Sequence, residues 1–339
     1  MPANLSPEYR AAETAFRQAR EPKERLERLR EMLRAIPKHK GTDHLQADIK
    51  RRIKELSEEI EHAKKGGARS GASHSVRPEG AAQIALIGPP NSGKSSLHAR
   101  LTGSGAHAAD YPFTTQQAQA GMLPHEDIHI QLVDLPAVSA EHPIPWLAGA
   151  LQTGDGCLLV TDLADPASLE AIEAVHAELS AKKVKLAASW SPGEAERAPE
   201  QDEDPFALRL PALLLANKAD RVADPEEELR AFLELEALPY PAFPVSATTG
   251  YRLGDIAPWL FSHLGIVRVY TKNPGKAADR SRPFTLRAGQ TVEDVARLVH
   301  QDLAHSLRYA RVWGKSGFDG QHVGREHLVA DGDVVELHI

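Results

Sequence analysis

Ile84-Ala85-Leu86-Ile87-Gly88-Pro89-Pro90-Asn91-Ser92-Gly93-Lys94-Ser95-Ser96 (IALIGPPNSGKSS, residues 84–96) decides the fold. An apolar strand, Gln83 to Ile87, runs into Gly-x-x-x-x-Gly-Lys-Ser from Gly88 to Ser95, and a helix opens at Ser96. That strand–loop–helix setting turns a short motif into a phosphate-binding loop. Gly88 and Gly93 let the backbone of Pro89, Pro90, Asn91 and Ser92 close around the α- and β-phosphates, where successive N–H groups form an anion nest at a helix N-terminus. Lys94 reaches the β/γ-phosphates as a point charge, and the Ser95 hydroxyl, beside Ser96, is placed to ligate Mg²⁺. The motif predicts an α/β fold, a mostly parallel sheet with helices on both faces.

The base is chosen further on. Asn217-Lys218-Ala219-Asp220 follows the apolar run Leu213 to Ala216, so it sits at the C-terminal end of a strand, where open α/β sheets bind ligands. A carboxylate at Asp220 can accept from guanine N1–H and the 2-amino group, a donor pair that adenine lacks. ATP would leave it desolvated and unpaired, and such mispairing discriminates strongly. Asn217 braces base and loop, and the Lys218 stem covers the ring. Val245-Ser246-Ala247-Thr248 closes the next apolar run. A P-loop kinase has no use for either segment.

Two more segments fall between. Tyr111-Pro112-Phe113-Thr114-Thr115 contains Pro and lacks periodicity, so it reads as a loop in which a Thr hydroxyl can complete the Mg²⁺ shell. Ile128 to Asp134 alternates as a strand that delivers Asp134 to the outer coordination shell of the metal, followed by Leu135-Pro136-Ala137. Together they form the parts of a γ-phosphate switch. In the order GPPNSGKSS, DYPFTT, DLPA, NKAD, SAT, the chain resembles the Obg/DRG group of GTPases, YPFTT being the most distinctive element. The resemblance implies that Ser95 and Thr115 bind Mg²⁺, that Phe113 to Gln117 form the first switch, and that Ser246 and Ala247 meet guanine through backbone N–H groups. Asn91 matches an Asn of potassium-stimulated relatives, where K⁺ adds positive charge to the transition state.

Two departures qualify the resemblance. Ala137 stands where the family pattern has Gly after Asp134; it can present the same N–H while φ stays negative, so binding survives and the swing of the switch changes. The next residue, Val138, stands where small signalling GTPases hold a water-orienting Gln; a hydrophobic residue there is what the resemblance predicts, and it implies slow hydrolysis stimulated by K⁺ or a protein partner. The connection from Asp162 to Asn217 lacks the extra domain of eukaryotic relatives. It holds a helix near Pro166 to Lys183, then a Pro- and acid-rich stretch, Ser191 to Pro205, that reads as a mobile loop.

With 339 residues, 42% of them hydrophobic, two or three packed domains are expected. No apolar run is long enough to span a membrane and the N-terminus has no apolar leader, so the expectation is a cytoplasmic protein. The single Cys excludes an internal disulfide, and Cys157, within Gly156 to Val160, reads as a buried hydrophobe. The 16 His residues show no metal-ligand spacing. The net charge of −7 hides an asymmetry: residues 1–77 and 266–339 are basic, and the segment between them is acidic. Any nucleic-acid contact belongs on the flanks, although a basic helix face is often simply solvated.

Leu26, Leu29, Leu33 and Ile36 recur at helical spacing within Ser6 to Ile36, and Leu45, Ile49, Ile53, Leu56 and Ile60 do so after Pro37 and Gly41. Residues 1–65 therefore read as a basic helical hairpin projecting from the nucleotide domain, resembling the helical segment of the same family. Residues 66–81 read as a linker and 82–265 as the nucleotide domain. In 266–339, strands at Val267–Tyr270, Phe284–Leu286, Ala310–Trp313 and Val334–Ile339 surround a helix begun by the capping box at Thr291, with Val295, Leu298, Val299 and Leu303 inward. This pattern resembles the ubiquitin-like β-grasp TGS domain, which implies contact with RNA or the ribosome. Arg308, Arg311, Lys315 and Arg325 are candidate phosphate contacts. Trp313 reads equally as stacking platform or core residue. The expected function is a slow GTPase switch that engages the ribosome or structured RNA, the alternative being a nucleotide-gated scaffold with vestigial hydrolysis.

Overall fold

The computed structural model describes residues 6–19, 22–37, 42–65, 76–103, 118–139, 141, 143–190 and 206–339. The first switch (Phe113, Thr114, Thr115 and Gln117), the stretch 191–205 and the linker residues 66–75 lie outside the described residues. The nucleotide domain is a seven-stranded sheet in the order β2-β3-β1-β4-β6-β5, with β7 paired to β6. Its elements are β1 (Ala82–Ile87), α4 (Lys94–Thr102), β2 (Gln119–His125), β3 (Ile128–Asp134), α5 (Leu147–Leu151), β4 (Gly156–Asp162), α6 (Ser168–Ala181), β5 (Val184–Ala187), β6 (Leu208–Asn217), α7 (Pro225–Leu235), β7 (Ala242–Pro244) and α8 (Ile256–His263). All pairings are parallel except β2 with β3.

Alternation along the central strands divides the core between two faces. Ile87, Val133, Leu159 and Leu214 pack with Leu147, Ile172 and Val175, whereas Ile84, Leu86, Leu132, Leu158 and Leu213 pack with Leu97, Ile256 and Leu260. Each such side chain contributes roughly 1.5–3 kcal/mol on burial. Cys157 lies in β4 between Ala85 of β1 and Ala212 of β6 and is fully buried. Opposite Pro211, Gly156 leaves room for Trp190, whose indole N–H donates to Ala212 O at 3.1 Å; a Cβ on Gly156 would come within 2.6 Å of that ring.

The N-terminal unit differs from the expected hairpin. Among the described residues it has three helices, α1 (Pro7–Gln18), α2 (Pro22–Ala35) and α3 (Asp43–Lys65). Proline supplies the break: Pro22 has no N–H to continue α1, while its fixed φ suits the first position of a new helix. Ser6 caps α1, accepting from Tyr9 N at 3.1 Å, and Ala19 beyond its end is extended. Nor does the unit simply project. Phe206, entering β6, joins Tyr9, Phe16, Leu29, Met32 and Ile49 in one core, edge-on to Phe16 at 6.0 Å with Arg52 over its ring. The end of the expected linker is also laid down on the domain: Val76 O accepts from Gln83 Nε2, and Glu79 N donates to Gln131 Oε1.

The C-terminal domain is a five-stranded mixed sheet, β11-β10-β12-β8-β9, of β8 (Ile266–Thr271), β9 (Asp279–Arg287), β10 (Tyr309–Gly314), β11 (Gly317–Val323) and β12 (Asp333–His338), with α9 (Val292–Val299) and α10 (Gln301–Ser306). Its only parallel pair is β8 with β12, the signature of a β-grasp. The Thr291–Asp294 capping box opens α9. Val295 faces inward as expected, but Leu298 and Val299 do not, being 52% and 36% exposed. The helix stops at His300, which is extended and caps α10 instead, so the apolar stripe ends a turn early.

This domain docks through paired charges. Arg268 on β8 donates to both oxygens of Asp331 at 2.9 Å and, through Nη1, to Asp127 at 2.9 Å and to Glu126. It also lies over the Phe261 ring, and Tyr270 donates to Asp127. Arg287 of β9 pairs with Asp155 at 2.7 Å. Glu126, Asp127 and Asp155 lead into β3 and β4, so the domain sits at the N-terminal ends of the parallel strands.

Candidate nucleotide-binding site

The other end of those strands carries the motif residues. Gly88 leaves β1 with no space for a side chain, since a Cβ would lie 2.2 Å from Val160 O. Gly93 has φ +87 and its Cβ would lie 2.2 Å from Asn217 Nδ2; both facts demand glycine. Pro89 is buried, Pro90 is exposed, and Asn91 adopts φ +60, a conformation Asn tolerates. Ser92 Oγ donates to Pro89 O at 2.9 Å, fixing the loop from within. Ser96 faces outward on α4.

Lys94 is buried, its Nζ donating to Gly88 O and Pro89 O at 3.2 Å each. Burial pulls the ammonium down to about 8, against the pull of Asp134 in the other direction. Ser95 Oγ donates to Asp134 Oδ2 at 2.6 Å, while Asp134 Oδ1 is buried with no hydrogen-bond partner among the described residues. Burial holds the Asp134 carboxyl above the usual carboxylate range despite Ser95, Lys94 and His98. An orphaned buried oxygen beside a hydroxyl and an ammonium is a place prepared for further positive charge.

Asn217, buried at the end of β6, joins two loops. Its Nδ2 donates to Ser92 O at 2.9 Å, and its Oδ1 accepts from Ala247 N at 3.1 Å. Asp220 accepts from the Ser246 hydroxyl, which also accepts from Thr249 N at 3.1 Å; Asp220 itself is exposed, as is Thr248. Lys218 has φ +65 and its Nζ meets Asp162 Oδ2 at 2.5 Å. Asp162 is the residue the motif reading missed. Its signal was available: the apolar run of β4 ends in Asp162 as that of β6 ends in Asn217, and the two are register partners.

Ala137 is half-buried and keeps a negative φ. Val138 is buried, and its N–H donates to Gly88 O at 3.0 Å. The segment after Asp134 therefore lies against the phosphate loop through its backbone, and the Val138 side chain packs into the core beside Leu135 and Ile144. Among the described residues, no group of three or more His, Cys, Asp or Glu side chains could hold a metal. What suits a hard cation in this site, among the described residues, is the Asp134 carboxylate with the Ser95 hydroxyl.

A phosphate loop tied by Asn217 to the Ser246–Thr248 segment, with Asp220 beside it, is the arrangement of a P-loop nucleotide-binding protein. Comparison with known proteins supports this class. Residues 83–189 match the 50S ribosome-binding GTPase family, and residues 267–339 match the TGS domain. An uncharacterized GTP-binding protein of Methanocaldococcus jannaschii is 27% identical over 93% of this chain and 92% of its own. The developmentally-regulated GTP-binding protein 1 of Xenopus laevis is 25% identical over 88% and 94%. The YchF GTPase structure of Schizosaccharomyces pombe, at 13% identity and a TM-score of 0.52, covers 78% of this chain and 99% of its own and shows the same fold. The chain thus carries a P-loop GTPase domain and a C-terminal TGS domain, and over 88–93% of its length it is similar to proteins named developmentally-regulated GTP-binding proteins.

Proposed function

We propose that this chain is a cytoplasmic, Mg²⁺-dependent GTPase that turns over slowly by itself and switches its engagement of the ribosome or structured RNA. The observation that carries the nucleotide assignment is Asn217, one side chain bonded to both the phosphate loop and the Ser246–Thr248 segment. It ties the base end of the site to the phosphate end, with Asp220 at the position that accepts from guanine. Gly88 to Ser96 cradle the phosphates, and the Ser246 and Ala247 backbone completes the base site.

The Mg²⁺ reading rests on Ser95 and Asp134. Their hard oxygens suit that ion, and the partnerless Asp134 Oδ1 fits a nearby cation. Thr115 is the proposed further ligand. When bound, Mg²⁺ neutralises charge on the phosphates. Phe113 to Thr115 and Ala137 respond to the γ-phosphate, with Lys94 and Asn91 acting on the transferring group, Asn91 by way of K⁺.

Slow turnover follows from Val138. A buried isopropyl group has no donor or acceptor to orient water, so K⁺ or an activating partner supplies what is missing. The alternative, a scaffold that binds GTP without cutting it, draws on the same residue. Single-turnover hydrolysis in K⁺ and in Na⁺, with and without ribosomes, separates them: turnover under any of these conditions supports the enzyme, and binding without turnover under all of them supports the scaffold.

Ribosome or RNA engagement is supported by the matched family's description and by the TGS surface. Arg308 and Lys315 are exposed there, and Tyr309 is stacked between His322 and His338 at 4.5 and 4.4 Å. Trp313 is half-buried under Lys272, neither core nor free platform. Arg311 is turned to His322, and Arg325 is used internally on the Leu307 and His305 carbonyls. Co-sedimentation with ribosomal subunits in GDP and in a non-hydrolysable GTP analogue tests the switch, which predicts different pelleting in the two.

A further inference from the structure

The charged clamp between the TGS domain and the β2–β3 turn has a geometry that goes beyond docking. Arg268 divides its guanidinium: Nε and Nη2 are held by Asp331 of its own domain, and Nη1 alone crosses to Glu126 and Asp127. The fork is pre-oriented before it meets the hairpin, and only 14% of the side chain is exposed. Tyr270 adds a second bond to Asp127.

The turn is built for this contact at a local cost. Only Glu126 and Asp127 separate β2 from β3, and Glu126 has φ +48, a conformation in which Gly or Asn is the comfortable choice. A glutamate there is strained, and its carboxylate is one of the groups that reach Arg268.

The turn opens the strand that ends at Asp134. From Ile128↔His125 to Asp134↔Gln119 the hairpin pairs continuously, and on its other edge β3 pairs with β1 from Ile130↔Ala82 to Asp134↔Leu86. Asp134 therefore meets Ser95 because β3 is fixed lengthwise against β1. A slip of one residue moves a strand by about 3.3 Å and turns its side chains over. The clamp lies about 20 Å from Asp134 along that strand, at the rise of an extended chain. Gly121 of β2 allows α4 no slack: a Cβ there would lie 2.7 Å from Thr102 Cγ2 and 2.9 Å from His98.

We propose that Arg268 is a positioning residue for the nucleotide site, acting through the β2–β3 hairpin to hold Asp134 at Ser95. The inference rests on the reading of Ser95 and Asp134 as the Mg²⁺ site. The TGS domain is then part of the GTPase and not an appended module: what moves it changes how the metal end of the site is held.

The test uses the full chain and a fluorescent GDP, with affinity measured in Mg²⁺ and in excess EDTA. Arg268→Ala removes the clamp; Glu126→Gln with Asp127→Asn keeps the shape of the turn and leaves Arg268 with Asp331, and serves where the first variant does not fold. Both are expected to weaken binding about 5- to 10-fold in Mg²⁺, the scale of an allosteric coupling, and to leave the EDTA affinity unchanged. Wild-type affinity in Mg²⁺, or an equal loss in EDTA, would overturn the proposal in favour of simple docking or general destabilisation. If the wild-type affinity itself is indifferent to EDTA, it is the Mg²⁺ reading beneath the proposal that fails.

Discussion

The two ends of the nucleotide-domain sheet treat charge in opposite ways. At the C-terminal end Asp134 is buried with one oxygen unpartnered and its carboxyl held above the ordinary range, and Lys94 is pulled down to about 8. At the N-terminal end, Arg268 bonding holds Asp331 below that range; at Asp127, burial is outweighed by the bonds from Tyr270 and Arg268, with the same result. One end leaves a buried carboxylate oxygen unpartnered among the described residues, and the other pairs its charges within the chain. A carboxylate raised by burial destabilises the folded chain above its unfolded value, whereas a lowered one stabilises it there. The fold thus carries a cost at the nucleotide end, where the Asp134 carboxyl is buried.

The largest effect is expected where the backbone itself has no room. Gly88→Ala brings a Cβ to 2.2 Å from the Val160 carbonyl, which cannot rotate away. Nucleotide binding should vanish in calorimetric titration, with about 1–3 kcal/mol of stability lost in urea unfolding, the range for overpacking. Wild-type affinity in this variant would remove the cradle from the nucleotide site. Next comes Asp220→Asn. Replacing a charged acceptor of two guanine donors, at roughly 1.5–3 kcal/mol each, should lower GTP affinity about 100-fold or more. ATP affinity should stay where it was, and an equal loss for both nucleotides would deny Asp220 its role.

Asp162→Asn is a smaller perturbation of the same end. It weakens the hold on Lys218 Nζ, and a cost of about 1 kcal/mol, roughly fivefold in affinity, is expected for GDP and GTP alike because the pair lies on the base side. A loss confined to GTP would contradict that placement. The smallest effect belongs to the opposite end and is read by acid. With folded values below the ordinary aspartate value of 3.8, Asp127 and Asp331 contribute fully above it, and that stability is lost as pH falls through their lowered folded values. Calorimetric unfolding of the wild type and of Glu126→Gln/Asp127→Asn should therefore differ at neutral pH and converge in stronger acid; an unchanging gap would show that the clamp does not titrate.

The nucleotide end was legible because its chemistry is local in sequence. Gly88, Gly93, Lys94 and Ser95 stand within one loop, and Asn217 and Asp220 within one turn, so spacing alone carried them. The TGS end was not legible: Arg268 and Asp127 are separated by 141 positions, and neither stands out in composition. The same limit explains Asp162, which matters only because β4 and β6 are neighbours in register. In the N-terminal unit the helical spacing of Leu26, Leu29, Leu33 and Ile36 lies wholly after Pro22, so it does not show the break at which the backbone starts a new helix. At α9 the apolar residues Leu298 and Val299 suggested an inward face, but His300 ends the helix before they could be covered.

Cys157 adds a clock to this molecule. It is the chain's one thiol, enclosed in the middle strand and pushed well above its ordinary range by burial, so it stays unreactive while the sheet is closed. Alkylation must wait for β4 to be exposed, and its rate counts those openings. Any ligand that binds the closed form slows the count in proportion to its own concentration over its dissociation constant. A mass spectrometer following one 36.9 kDa chain gaining a single label can thus rank nucleotides, ions and partners without a dye, a tag or a substitution.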